Sequence, residues 1–395
     1  MDVVRLDKAT YVPDSLVEDY SSMIWTERYL DNGEFQLTTP EVEKTRALIP
    51  VGSLISLMDS LEVQIVENHS IKRDDKGAPT LTVTGRTFDT FLEQRVMMGE
   101  YQQSWPMLKQ YRCSEIAAYL LWNYLVNTTG QDPSRDDQLT WIYDAIANLV
   151  VTNSTTFPQT YLDWTLQAGV VYPQLRDFLS LGGLGYRSIR PDKTSGYVTT
   201  FDTSTSGARG NIAATWTTNL AQMRLDIYNG TNRSRNQSVV EPVIFHYDSG
   251  HIDNPEYLFT NKELKNEALV SSSLGNMSVW PGLGLTHPAP IPSGLNRRVL
   301  FIDGGKMESG EDEDVFQASL VQKGLIELSK HNRSALFDGA VSALSPYEYN
   351  KEYFLGDLVT LLGEYGLETS MAVSEYVRTE DAEGDRGYPT LILSS

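Results

Sequence analysis

Cysteine occurs once in the 395-residue chain, at Cys113. An internal disulfide is therefore excluded, and a cysteine-built metal site lacks ligands. Cys113 sits beside an apolar helical pattern and reads as a small core residue rather than a nucleophile. Basic residues are also scarce, 32 against 52 acidic, for a formal net charge of −20. So acidic a surface repels nucleic-acid phosphates. It suits a wall that DNA must pass without sticking, and it serves solubility equally well. No apolar run approaches the roughly 20 residues of a membrane span. The stretch Met1–Asp7 has no signal-peptide core, so synthesis and folding in the cytoplasm are expected. The Asn-x-Ser/Thr matches at Asn127 and Asn229 then carry no glycan.

Catalytic signatures are missing too. There is no Gly-x-Ser-x-Gly elbow and no His-Glu-x-x-His. Gly182-Gly183-Leu184-Gly185 follows a helical pattern, the place of a helix C-cap and not of a phosphate loop; Gly207 to Gly210 reads as a turn. His246 and His251 bracket Asp248, but a metal would need further ligands from elsewhere, and Asp-Ser-Gly is ordinary turn chemistry. His69, His287 and His331 have no motif around them. Ser309 to Asp314 is acidic without calcium-loop spacing and reads as the cap of a helix over Val315–His331. Asp381, Glu383 and Asp385 read as a solvated turn. Acidic pairs abound, so a glycosidase dyad is not ruled out, but nothing selects one pair. We assign no catalytic, cofactor-binding or metal-ligating residue and expect a structural or binding role rather than an enzyme.

What is present is ample apolar and aromatic material, 41% and 10% of the chain, with 21 Tyr against 12 Phe. That supports true cores and leans towards strands and polar interfaces. The length predicts about two to four domains. The clearest local signal runs from Met23 to Pro40. Trp25, Glu27 and Tyr29 alternate with Ile24, Thr26 and Arg28, then Asp31-Asn32-Gly33 interrupts, then Phe35 and Leu37 alternate with polar residues. Asn32-Gly33 predicts a two-residue type I′ turn. That turn sets Leu30 opposite Phe35, puts Ile24, Leu30, Phe35 and Leu37 on one buried face, and puts Trp25 and Tyr29 on the other.

Strands are predicted up to about Met98, at Leu48–Leu57, Leu61–Val66 and Leu81–Gly85, with a turn at Asp74–Gly77. A short helix from Phe88 to Val96, capped by Thr87, closes this β-barrel. The period turns helical from about Trp105 to Arg190. Helices are expected at Cys113–Val126 with Ser114 as cap, at Asp137–Val151 and at Val171–Leu181, with strands at Tyr161–Trp164 and Tyr186–Ile189. Tyr197–Thr217 is a mobile loop or a hairpin. Strands resume at Met223–Tyr228 and Val239–Tyr247 around a turn at Asn229–Ser234. Lys265–Ser272 and Arg297–Asp303 are further strands, and Trp280–Gly294 is a connecting loop. The C-terminal part is β again, at Tyr353–Leu361, Thr369–Thr379 and Tyr388–Leu393, with a turn at Glu364–Leu367.

Several of these segments resemble one family. They are Ile24–Tyr29 with Asn32–Leu37; Thr82–Arg95; Gly230–Ser234; and Leu355–Val359 with Glu364–Leu367 and Arg378–Asp381. Together, in order, they resemble siphophage minor tail proteins that form the baseplate hub or tail tip, similar to the trimeric hubs of contractile phage tails. Residues 197–217 and 281–296 carry no part of the resemblance. The resemblance implies a mixed β and α+β chain of two similar small β-barrels with inserted α/β domains. The division expected is a first barrel over 1–101, an insertion over 102–196, a second barrel over 197–255 plus 346–395, and a second insertion over 256–345.

It further implies a homotrimer in the virion tail. Its partners would be the tail tube, distal tail proteins, a tape measure protein and tail fibre or receptor-binding proteins. DNA would pass the lumen without specific binding, and the chain itself would insert in no membrane. No cofactor and no catalytic residue is carried over. The competing expectation is a carbohydrate-binding or cell-wall-degrading tail protein that stacks exposed Trp and Tyr on sugars.

Overall fold

The structure is a computed structural model. It describes residues 1–73, 77–97, 107–121, 149–152, 161–165, 169–190, 198–202, 213–217, 223–281, 293–331, 334–342, 345–363 and 367–393. The expected helix over Asp137–Val151, most of the Trp280–Gly294 loop, and most of the turns at Asp74–Gly77 and Glu364–Leu367 lie outside these residues, although 149–152 is a strand.

The fold is mixed α/β and mostly β, built on one largely antiparallel sheet of thirteen strands. One half of this sheet comes from the N-terminal region, with strands at Val3–Leu6, Pro13–Val17, Ser22–Arg28, Glu34–Thr39, Leu54–Leu57, Gln64–Arg73 and Pro79–Thr87. Each of these strands sends at least one residue into a single core that includes Val3, Val17, Trp25, Leu37, Ile55 and Val83. Alternation explains this in Glu34–Thr39 and Pro79–Thr87, where every second residue is buried. The other half comes from Ile244–His246, Ile252–Thr260, Ser334–Val341, Leu358–Leu362, Glu368–Asp381 and Gly384–Leu393. Phe245, Ile252, Val359, Met371, Val373 and Leu391 form its separate core. One antiparallel ladder joins the halves, from Glu375 opposite Arg28 to Glu380 opposite Met23.

Between the halves lies an α/β unit. Leu149–Thr152 and Gly185–Ile189 flank Met223–Tyr228 in a three-stranded sheet. The helices Cys113–Leu121 and Val171–Gly182 cover it, with Leu120, Phe178 and Leu225 in a shared core. That core also takes Leu6, Leu54 and Val63, so the unit is packed against the first half-sheet. Cys113 is buried in it. A second insertion has the sheet Gly275–Val279, Glu267–Ser272, Val299–Gly305 under the helix Glu313–Ser329. Asp312 caps that helix, accepting from the N–H groups of Asp314 and Val315 at 2.9 and 3.4 Å.

Several expectations change. The Met23–Pro40 hairpin forms, but in another register: Trp25 faces Phe35 and Ile24 faces Gln36. Trp25 is fully buried with Phe35 and Leu37, and Ile24 is 37% exposed: Phe35 and Leu37 lie on the buried face as expected, but Trp25 takes the place expected for Ile24. Residues 29–33 connect the strands in place of a two-residue turn. Long-range contacts hold this connection: Tyr29 N donates to Ser374 O at 2.9 Å, and Tyr186 N donates to Tyr29 O at 3.1 Å. Gly33 is needed for close approach and not for a left-handed turn, since a Cβ there would lie 2.3 Å from Thr26 O. Val42–Leu48, where no helix was expected, is a short helix. Phe88–Gln94 is a 3₁₀ helix, and Thr87 makes no side-chain cap bond. Tyr197–Thr217 contains the hairpin Val198–Asp202 with Ala213–Thr217. Met223–Tyr228, read with the second β region, pairs instead inside the α/β unit. Ser334–Val341, placed by the sequence in the second insertion, pairs with Gly384–Leu393 in the large sheet.

Candidate functional site

Two of the segments that carried the resemblance, Gly230–Ser234 and Leu355–Val359, meet at one junction, and Tyr29 of a third packs beside them. At its centre is Asp357, 2% exposed, in the bend Leu355-Gly356-Asp357. Gly356 takes φ +84°, a conformation natural to glycine. The Asp357 carboxylate accepts from Thr231 N at 2.7 Å, Arg233 Nε at 2.8 Å and Phe354 N at 3.0 Å. Burial pushes its carboxyl above the ordinary aspartate range, and these donors pull the other way. The backbones join as well, with Leu358 N donating to Thr231 O at 3.0 Å and Arg233 N to Leu358 O at 2.8 Å. Residues 229–234 and 354–358 therefore form one knot.

Tyr29 fills the space beside the knot. A Cβ on Gly185 or Gly356 would come within 2.2 or 2.3 Å of Tyr29 Cε2, so glycine at both positions makes room for the ring. The Tyr29 hydroxyl donates to Gly183 O at 2.9 Å and accepts from Gly230 N at 3.4 Å. Its ring meets Tyr228 edge-on, centroids 5.2 Å apart. Burial pushes its phenol up to about 12. Gly183 ends the helix in the left-handed conformation, its N–H reaching Leu179 O and Ser180 O. The Gly182–Gly185 run is thus the expected C-cap, with Gly185 serving the Tyr29 contact in addition.

A buried polar cluster completes the junction. Glu27 and Glu62 are 5% and 7% exposed. Glu27 accepts from Trp25 Nε1 at 3.0 Å, from Ser60 Oγ, and from Tyr349 OH at 2.7 Å. Arg187 stacks on Tyr228, 4.4 Å from the ring centroid, and lies 3.6 Å from Asp226. Backbone bonds clamp the α/β unit to the first half-sheet here: Val63 N donates to Ser188 O and Arg190 N to Leu61 O, both at 2.9 Å. Burial drives the Glu62 carboxyl well above its ordinary range, with Glu27 and Asp89 adding to the shift. Burial likewise raises Asp89 to about 6.

This arrangement holds parts together. A groove of about 530 Å³ crosses the outer face of the first half-sheet, between Ile24, Glu34, Glu67 and Arg86. Its acids are engaged: Glu34 with Arg28 and Glu67 with Arg86, both at 2.8 Å. His246 and His251 bracket a turn, with His251 Nδ1 3.3 Å from Ile244 O. Among the described residues no group of three or more His, Cys, Asp or Glu is arranged to hold a metal ion. Asp381 and Gly384 close the hairpin of the last two strands, and Asp385 pairs with Arg378 at 3.0 Å. No helix among the described residues is long and apolar enough to cross a membrane. Sequence reasoning missed Tyr29 and Glu62 as junction residues. The one available signal was that Gly183, Gly185, Gly230 and Gly356 all needed a reason.

A family model described as Siphovirus ReqiPepy6 Gp37-like protein matches residues 10–389. No curated protein matches the chain. Among solved structures, the chain is similar to the 43 kDa tail protein of prophage MuSo2 from Shewanella oneidensis. The TM-score is 0.50 at 12% identity, over 100% of this chain and 98% of that one. It is also similar to the tail protein from Neisseria meningitidis MC58, with a TM-score of 0.51 at 10% identity, over 99% of this chain and 96% of that one. At these identities the likeness is one of fold.

Proposed function

The chain belongs to the Siphovirus ReqiPepy6 Gp37-like family, and from that premise we propose that it is a structural protein of the phage tail, forming a homotrimeric baseplate or tail-tip hub. One observation carries the reading. A single chain holds two β half-sheets, each with its own core and joined to the other by one ladder. If each half is a small barrel, three copies on a threefold axis present six alike β modules. Such a collar could mate with a sixfold tail tube on one side and threefold host-binding proteins on the other.

On this reading the β modules comprise about 1–97 and 229–260 plus 334–393, with the two α/β insertions between their parts. The junction around Asp357, Tyr29 and Glu62 fixes the angle between the modules, as a collar requires. The net charge of −20 fits a lumen that DNA passes freely. The fold likeness to two tail proteins, one of them from a prophage, supports a tail location in the virion. The role is architectural, with no catalytic residue assigned.

The test is the mass of the purified protein in solution, together with imaging of intact tails. A threefold particle at the tail tip is expected. A chain that stays monomeric and never enters tails would overturn the proposal, as would glycan hydrolysis by the isolated protein.

A further inference from the structure

The α/β unit grips the first half-sheet through two short segments, Leu61–Val63 and Ser188–Arg190, joined by the backbone bonds described above and by the bridge between Glu62 and Ile189. Glu62 sits in the middle of this grip, 7% exposed. The groups facing it come from every neighbouring part. They are Glu27 of the first half-sheet, Asp89 of the 3₁₀ helix, Arg187 of the α/β sheet, and the phenols of Tyr228 and Tyr349. Glu27 and Asp89 are themselves 5% exposed. Glu62 thus has two other buried carboxyls beside it and one guanidinium, Arg187, which also attends Asp226 at 3.6 Å, while Asp89 is shared with Arg86. A buried carboxylate without a full counter-charge is unstable against taking up a proton.

We propose that this contact is a latch worked by one proton: with Glu62 as the neutral acid the α/β unit stays docked on the first half-sheet, and with Glu62 ionised the Leu61–Val63 and Ser188–Arg190 segments part. The direction follows from linkage. The closed form holds the Glu62 proton more tightly than the open form, in which Glu62 meets water and its ordinary value of 4.5 applies. Above that pH the open form loses its proton first. Opening therefore becomes easier by about tenfold per pH unit until the closed form ionises too.

Hydrogen-exchange mass spectrometry of the full chain, corrected for the intrinsic pH dependence of exchange, tests this. In the wild type, protection at 61–63 and 185–190 is expected to fall by up to about tenfold per pH unit as pH rises above the ordinary value of 4.5, until the closed form ionises. Protection across the 267–279 strands should stay level. Glu62→Gln, neutral at every pH, should flatten the first slope. A wild type with no slope, or a variant with the same slope, overturns the latch. Infrared spectroscopy of the wild type gives a reading that does not depend on the variant folding. A buried protonated carboxyl band that persists above the ordinary glutamate value of 4.5 and is lost as pH rises further is expected, and its absence overturns the proposal.

Discussion

Gly230 and Gly356 lie backbone to backbone, so close that a Cβ on Gly230 would sit 1.7 Å from the Gly356 carbonyl oxygen. No side chain can give way at this contact, because both neighbours are main chain. Gly230→Ala should therefore spread the knot between residues 229–234 and 354–358 and lower stability by about 3 kcal/mol. Chemical denaturation checks it. A midpoint unchanged from wild type would show that the two segments are not packed as described.

Tyr29 makes two separable contributions, its ring and its hydroxyl. Tyr29→Phe keeps the ring between Gly185 and Gly356 and removes only the hydroxyl's bonds, chiefly the one to Gly183 O and the longer one from Gly230 N, so it should cost about 1 kcal/mol. Tyr29→Ala opens a cavity at the junction and should cost about 3 to 5 kcal/mol. Equal losses in the two variants would mean that the hydroxyl, and not the packing, holds the parts together.

Glu267 gives a prediction about acid. It is 1% exposed and accepts from Arg297 Nε at 2.5 Å, Arg297 Nη2 at 2.9 Å and Ser278 Oγ at 2.7 Å. The Arg297 bonds hold its carboxyl below the usual glutamate range. A depressed carboxyl stabilises the fold fully above its unfolded value and loses that contribution as pH falls through its folded value. Glu267→Gln should therefore loosen the 267–272 and 299–305 strands at neutral pH and converge with wild type in acid. Hydrogen exchange of those strands at the two pH values is the measurement; a gap that widens in acid would contradict it.

Cys113 is 2% exposed, and burial pushes its thiol up to about 12. A protonated thiol without access is a poor nucleophile. The native chain should resist a thiol-specific reagent at neutral pH and label in denaturant, at the transition that exposes the Leu120 and Phe178 core. As the only cysteine, it reports that core without interference. Rapid labelling of the native chain would place Cys113 at a surface.

By itself the sequence settled what local physics controls. Alternation at Met223–Tyr228 gave a strand with every second residue buried. Gly183 ended the Val171–Gly182 helix because glycine enters the left-handed region without strain. Asp312 began the last helix because its carboxylate bonds the free N–H groups of the first turn. The tertiary structure alone decided that Trp25 and not Ile24 joins Phe35 and Leu37 on the inward face of the Met23–Pro40 hairpin, since Ser374 and Tyr186 hold its connection from far along the chain. It alone placed Met223–Tyr228 in the α/β unit and brought Asp357 to Arg233 and Tyr29 to Gly183. The reason is range: backbone sterics and side-chain period act over a few residues and are written where they act. Register, burial of a charge and the joining of two half-sheets depend on partners more than a hundred residues away, which the chain meets only on folding.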